Sequence, residues 1–358
     1  MRVVSPLLKH FVYPGLSRSG YLRWLARDGP TVVTYHGILP EGYRFYDVAL
    51  DGHLITAEAF ERQIRLLRAK YSLISPGEFA RWSEGRSELP PRAVLLTCDD
   101  GLLNTFTDML PIIAKLDVPF LFFVTGASCS DRASTLWYEQ LYIWLLRGGR
   151  KLVLRVPWQP EPLLVQGRTQ VHQLWRELIS KLSRLDAASR NQLLKDLRTQ
   201  IGISENWESE YSHNEPLRRR FCMLNATELR KLVEAGVSIG AHTMSHPMLS
   251  KMPADLAFEE IAQSRICLEQ ALSIEVWALS FPFGNSEAVS ARESDLARQA
   301  GFKCAFMNVE NASSGDYFSF PRVHVSAGMN LAEFEAHVSG FYRSIRHRSD
   351  QFGSGVSA

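Results

Sequence analysis

Cysteine is sparse and unpatterned. The five residues Cys98, Cys129, Cys222, Cys267 and Cys304 are odd in number and scattered, with no Cys-x-x-Cys among them. That argues against a disulfide framework and suits a reducing compartment. Long apolar runs are missing too, and none approaches the roughly 20 residues of a transmembrane helix. Charge of one sign is missing: 40 Lys and Arg against 38 Asp and Glu leave +2, so nothing in the balance points to nucleic acid. The N-terminus, Met1-Arg2-Val3-Val4-Ser5-Pro6-Leu7-Leu8-Lys9-His10, has no uninterrupted apolar core and no cleavage site, which speaks against a signal peptide. There is no internal repeat, and no low-complexity stretch beyond a short Gly/Ser tail from Gly353. The 358 residues can bury a large core and form one big domain or two.

The chain is organised around Thr97-Cys98-Asp99-Asp100-Gly101, which follows the apolar run Ala93-Val94-Leu95-Leu96. Two adjacent carboxylates at the end of a buried strand are desolvated and repel each other. A bound dication turns that repulsion into attraction. Gly101 lets the backbone turn just beyond them. The plain alternative is an acidic cap on the following helix.

A second stretch, Ser238-Ile239-Gly240-Ala241-His242-Thr243-Met244-Ser245-His246, also leaves a short apolar strand and sets two imidazoles four residues apart. One Asp and two His make the three-ligand set of a catalytic zinc, with a fourth position for water. It is not the helical zinc-protease motif, because Thr243 stands where that motif has Glu. Loop histidines satisfied by backbone are the alternative.

With these motifs the chain resembles the polysaccharide deacetylases of the NodB-homology, carbohydrate esterase 4 type. Thr97-Cys98-Asp99-Asp100-Gly101 stands for that family's Thr-Phe-Asp-Asp-Gly, with Cys98 in place of Phe. His242-Thr243-Met244-Ser245-His246-Pro247 stands for its His-Ser/Thr-x-x-His-Pro, and Phe281-Pro282-Phe283-Gly284 for its Tyr-Pro-Tyr-Gly. Thr34-Tyr35-His36-Gly37 is similar to the Tyr-His strand of the branch that includes the poly-N-acetylglucosamine deacetylases. The likeness runs over about residues 31–127 and 222–325.

Along the chain, residues 1–30 carry five Lys or Arg against one acid, interleaved with apolar side chains. They read as a basic helix packed on the barrel, with peripheral contact to an anionic membrane as the second reading. Strands are expected over 31–36, 71–74, 93–98, 118–125, 276–281, 303–307 and 320–325, and amphipathic helices over 60–70, 254–272 and 286–300. Asn104 and Ser286 are expected as helix caps, Asn225 or Thr227 as another, and Pro111 as a kink or restart. Alternating strand and helix imply a parallel sheet, and site residues at strand C-termini fit a (β/α) barrel. The resemblance implies a distorted α/β barrel of seven or eight strands spanning residues 31–345. Residues 128–221 break the rhythm as a largely helical insertion, with a hairpin around Gln159-Pro160 and helices over 169–185 and 187–201. It is expected as a wall or lid over the substrate, or else as an outlying subdomain. Residues 346–358 read as a disordered tail.

The resemblance implies a hydrolase acting on the carbon–nitrogen bond of linear amides, removing N-acetyl groups from a sugar or polysaccharide. Asp100, His242 and His246 would hold one divalent metal, zinc first, with Co2+, Ni2+ or Fe2+ as alternatives. Asp99 would be the base for the attacking water. A backbone N–H near Phe283 would hold the oxyanion, and Trp137 and Tyr138 could stack on sugar rings, with ordinary core as the alternative for Trp137. The leaving amine needs a proton; His36 is taken as the acid, and His324 is the competitor. The Arg that orients the first Asp in much of the family is absent from its usual place, where Ala278 and Leu279 stand; either Arg322 replaces it or Asp99 does without. The expected location is cytoplasmic, including the inner membrane face, with an N-acetylated glycan as substrate, polymeric or lipid- or nucleotide-linked. A deformylase or O-acetyl esterase keeps the same site. A silent glycan-binding barrel is the reading from another class.

Overall fold

The computed structural model describes residues 6–25, 29–130, 134–149, 151–310 and 316–345. The tail expected over 346–358 and the first five residues lie outside that set. Ten strands follow in chain order: β1 (Thr31–Tyr35), β2 (Ser72–Leu73), β3 (Ala93–Cys98), β4 (Leu121–Val124), β5 (Lys151–Val156), β6 (Gln159–Gln166), β7 (Ser238–Ala241), β8 (Ala278–Ser280), β9 (Cys304–Phe306) and β10 (Val323–His324). Eight of them form one parallel sheet in the order β10-β1-β3-β4-β7-β8-β9, with β2 on the flank of β3. The ring then closes. Phe320 N–H donates to Ala305 O and Met307 N–H to Phe320 O, both at 2.9 Å, tying β9 to the chain entering β10. This is the expected distorted (β/α) barrel.

The central strands of the parallel sheet are buried along their length because both faces are covered, whereas β5 of the hairpin alternates exposed and buried. Val32, Leu95, Leu121, Phe123, Ala278 and Phe306 point to one buried cluster. Val33, Leu96, Phe122 and Leu279 point to the other, under the helices. Helix Pro76–Ser83 stoppers the first cluster with Phe79, whose ring lies 5.5 Å from Phe306 and 5.2 Å from Phe320. Higher in the same space the inward side chains turn polar, and that change of chemistry makes the site. Register aligns the strand ends: Thr34 lies opposite both Thr97 and His324. His36, Asp99 and His324 therefore leave neighbouring strands on one rim.

Helix Ala254–Leu272 has the expected bounds, and Asn225 caps Ala226–Glu234 through a capping box with Glu228. Three local expectations are corrected. Asn104 caps nothing; its side chain accepts Ile38 N–H at 3.0 Å and donates to Arg219 O, so tertiary partners claim it. The helix expected from Ser286 starts instead after Ser290, whose capping box with Glu293 satisfies the free N–H groups. The hairpin turns at Pro157-Trp158, and Gln159 already pairs with Val156. Pro157, with its fixed φ, suits a turn better than a strand.

The insertion holds the β5–β6 hairpin and helices Trp137–Arg147, Gly167–Leu182, Ala187–Ile201, Trp207–Ser212 and Glu215–Phe221. The last two are too short for a readable period. The insertion is bolted to the barrel by Arg220, fully buried, which meets Asp51 at 2.6 Å and Glu139 at 2.8 Å. N-terminal residues pack Tyr13 and Leu22 against Ala336 of helix Leu331–Val338. Among the described residues no helix is long and apolar enough to cross a membrane.

Candidate metal centre and catalytic cavity

Two loops at the C-terminal ends of β3 and β7 face each other. In the first, Asp99 N–H donates to Tyr35 O at 2.9 Å, and the chain then reverses through Asp100 (φ 75°) and Gly101 (φ 78°). A Cβ on Gly101 would stand 3.0 Å from the Val124 side chain, so space as well as conformation favours glycine. In the second, Thr243 and His246 are also left-handed, at φ 61° and 56°, and His246 N–H donates to Thr243 Oγ1 at 3.1 Å. Phe283 adds a fourth such residue, at φ 61°. Left-handed non-glycine residues cost about 1–3 kcal/mol each and persist where surroundings over-determine them. Here Glu260 accepts Ser245 N–H at 2.8 Å and Trp137 Nε1–H grips His246 O at 3.1 Å.

These turns bring His242 Nε2 and His246 Nε2 each to 3.3 Å from Asp100 Oδ1. All three residues are buried, and their ligating atoms lie within 4.8 Å of one another. His242 Nδ1 lies 2.7 Å from Ser280 O, an acceptor only, so Nδ1 carries a proton and Nε2 faces Asp100. Burial alone would lift the Asp100 carboxyl, but the two imidazoles hold it well below the usual range. Burial lowers His242, and Asp100 outweighs it, so that group is pushed up. Asp100 Oδ2 and His246 Nδ1 are buried without a protein partner. One carboxylate and two imidazoles converging in a dry place, one of them steered by a backbone carbonyl, fit a divalent cation.

Asp99 stands beside this cluster in a different environment. Arg322 grips it with both arms, Nη1 to Oδ1 at 2.7 Å and Nη2 to Oδ2 at 2.5 Å, and Ser280 Oγ–H donates to Oδ2 at 2.9 Å. Arg322 is itself pinned by Met307 O at 2.8 Å and stacked near Phe123 and Phe306. Of the two options left by the missing family arginine, the structure has Arg322 beside Asp99. Burial raises the Asp99 carboxyl, and the guanidinium more than reverses this, so it stays ionised.

His36 and His324 lie together, ring centres 5.0 Å apart, and His53 adds a third imidazole 5.2 Å from His36. Burial depresses all three: His324 to about 3, His53 well below the usual value, and His36 less simply, because Asp100 and Asp99 pull it back up. A cavity of about 230 Å3 is lined by Asp99, Asp100, His36, His242, His246 and His324, together with His53, Tyr138, Phe283 and Asn308. The Tyr138 ring lies 5.0 Å from His246 and 5.7 Å from Phe283, so the insertion supplies one wall. Trp137 does not line the cavity; it is core, holding the His246 carbonyl. His53, Ser280 and Asn308 carry no motif, and only the folded chain brings them here.

A family model described as polysaccharide deacetylase matches residues 203–305. YxkH of Bacillus subtilis (strain 168), which carries the name of a polysaccharide deacetylase, is 25% identical over 119 residues. That match covers 32% of this chain and spans 41% of the length of this curated relative. The deacetylase PplD of Streptococcus pyogenes, solved with acetate, superposes with a TM-score of 0.54 at 14% identity, covering 86% of this chain and 97% of that one. IcaB from Ammonifex degensii superposes at 0.53 and 19% identity, covering 87% and 98%. These two likenesses speak for the fold, while the matched family model takes in His242 and His246. Over residues 203–305 the chain is similar to the polysaccharide deacetylases.

Proposed function

We propose that this chain is a metal-dependent carbohydrate N-deacetylase. The observation that carries the reading is the pairing of two unlike carboxylates. Asp100 converges with His242 and His246, while Asp99 is set aside by Arg322 and kept ionised. Asp100, His242 and His246 would hold the divalent cation, zinc first, which supplies Lewis-acid polarisation of the acetyl carbonyl and acidifies water. Asp99 takes the proton from the attacking water, since its carboxylate lines the same cavity. Tyr138 and Phe283 bound the space for the sugar and its acyl group. A backbone N–H near Phe283 is the proposed donor to the oxyanion.

His36 is the proposed acid for the leaving amine. Burial works against its protonated form, but Asp100 and Asp99 oppose that loss, whereas His324 is pushed down to about 3. His324 and His53 then serve as neutral neighbours of His36. The substrate class is an N-acetylated carbohydrate.

The test is metal content together with acetate release from a short N-acetylglucosamine oligomer, for the wild type and Asp100→Ala. The expected outcome is roughly one equivalent of divalent metal in the wild type, lost with activity in the variant. Metal without acetate release would direct the search to formyl or O-acetyl groups. No metal after reconstitution with zinc would sink the hydrolase reading.

A further inference from the structure

Beside the catalytic cavity lies a larger one, of about 510 Å3, between residues 43–50 and the insertion. Two elements serve both. The turn Val48–Asp51 gives Ala49 to the catalytic cavity and Leu50 to its neighbour. Helix Trp137–Arg147 gives Tyr138 to the first and Leu146 and Arg147 to the second. Tyr138 and Leu146 are about 12 Å apart along the axis at 1.5 Å per residue. A reacting sugar in one cavity can therefore have its linkage in the other.

The lining of the second cavity has an unbalanced charge. Arg44, Arg147 and Arg168 face it against a single carboxylate, Asp47. Arg168 is 82% exposed and reaches Asp47 only at 3.9 Å. Arg147 pairs with Glu210, which does not line the cavity, at 3.0 Å. Arg44 has no ion-pair or hydrogen-bond partner among the described residues. Between the arginines the wall combines apolar Leu146, Leu217 and Phe221 with the rings of Tyr43, Tyr46 and Tyr211, and Phe45 stands 68% exposed at its mouth. An exposed aromatic beside one unpartnered guanidinium and one loosely paired one marks a site for a ligand that is anionic at one end and apolar at the other.

We infer that this cavity takes the phosphate linkage and first apolar carbons of a carrier-lipid-linked sugar, whose acylamino group enters the catalytic cavity. The inference rests on the deacetylase reading for its sugar, but the cavity's own chemistry chooses the carrier. A neutral polymer would leave Arg44 without a counter-charge and Arg168 with only its long contact to Asp47. A nucleotide-linked sugar would supply phosphate but lay a polar base on Leu146, Leu217 and Phe221.

Calorimetric titration of the full chain with farnesyl phosphate, with uridine monophosphate and inorganic phosphate as comparisons, reads this site independently of turnover. Farnesyl phosphate is expected to bind about tenfold more tightly than either comparison. Arg44→Glu and Arg168→Glu are each expected to weaken it about tenfold, as loss of a charge-assisted bond implies. Both side chains are exposed, so the variants should melt with the wild type. Equal binding of inorganic phosphate, tighter binding of the nucleotide, or farnesyl phosphate affinity unmoved by both variants overturns the inference. Deacetylation of the neutral oligomer without farnesyl phosphate binding would also overturn it, leaving the proposed function in place. Binding lost in Arg44→Glu, with no acetate released from any acetylated sugar, would keep this site and end the deacetylase reading.

Discussion

Asp99→Asn is expected to lower acetate release by about 10²–10⁴-fold, the usual contribution of a positioned base, while metal content stays at the wild-type level. The substitution keeps size and one acceptor oxygen, so Arg322 Nη1 can still donate to the side chain, while the bonds from Ser280 and Arg322 Nη2 to the second oxygen are given up. What it removes is the ability to take a proton. Asp100→Ala would lose metal and activity together, so the pair of variants separates the two carboxylates. Arg322→Met probes the same group from the other side. With the guanidinium gone, burial is left to raise the Asp99 carboxyl, and the base is protonated over a wider range. The acid limb of the rate profile should therefore move to higher pH, not lower. An Asp99→Asn enzyme with near wild-type rate would remove Asp99 from the base role.

Arg220→Met is expected to be the most destabilising single change in the described structure, by about 3–5 kcal/mol, because it strands two buried carboxylates. Asp51 and Glu139 are both essentially inaccessible, and Arg220 also donates to Leu50 O at 2.9 Å. At roughly 2 °C per kcal/mol for a large domain, the melting temperature should fall by roughly 6–10 °C. Two acids already outnumber one guanidinium there. Burial pushes Glu139 up to about 7 against the pull of Arg220. The folded chain thus holds a proton that the unfolded chain releases near 4.5. That contribution to stability is whole at low pH and is lost as pH rises through about 7. Glu139→Gln should flatten this slope in denaturant titrations between pH 5 and pH 8. An unchanged slope would assign it to other groups. The triad carries functional weight as well, because Asp51 anchors the loop that bears His53.

Asp99, Asp100, His242 and His246 were legible because each pair sits in a short motif on one strand end. The strand beneath the Asp pair was legible to the residue, since a strand buried on both faces must be continuously apolar. Tyr138 was legible only as a candidate, indistinguishable by type from Trp137 next to it. Helix geometry decided between them, turning one ring to the cavity and the other to the His246 carbonyl.

By itself the sequence determined the barrel class, the order of its elements, and the chemistry concentrated at two strand ends. Those are properties of local pattern: apolar runs, caps and adjacent ligands. Tertiary structure decided between the two options for Asp99, with Arg322 gripping it across 223 positions of chain, and alone decided that Arg220 bridges the insertion to Asp51 across 169. It also decided that His53 joins His36 and His324. An isolated Arg or His carries no sign of its partner. The partner is chosen when barrel closure brings distant strand ends to one rim and burial there makes an unpaired charge too costly to leave.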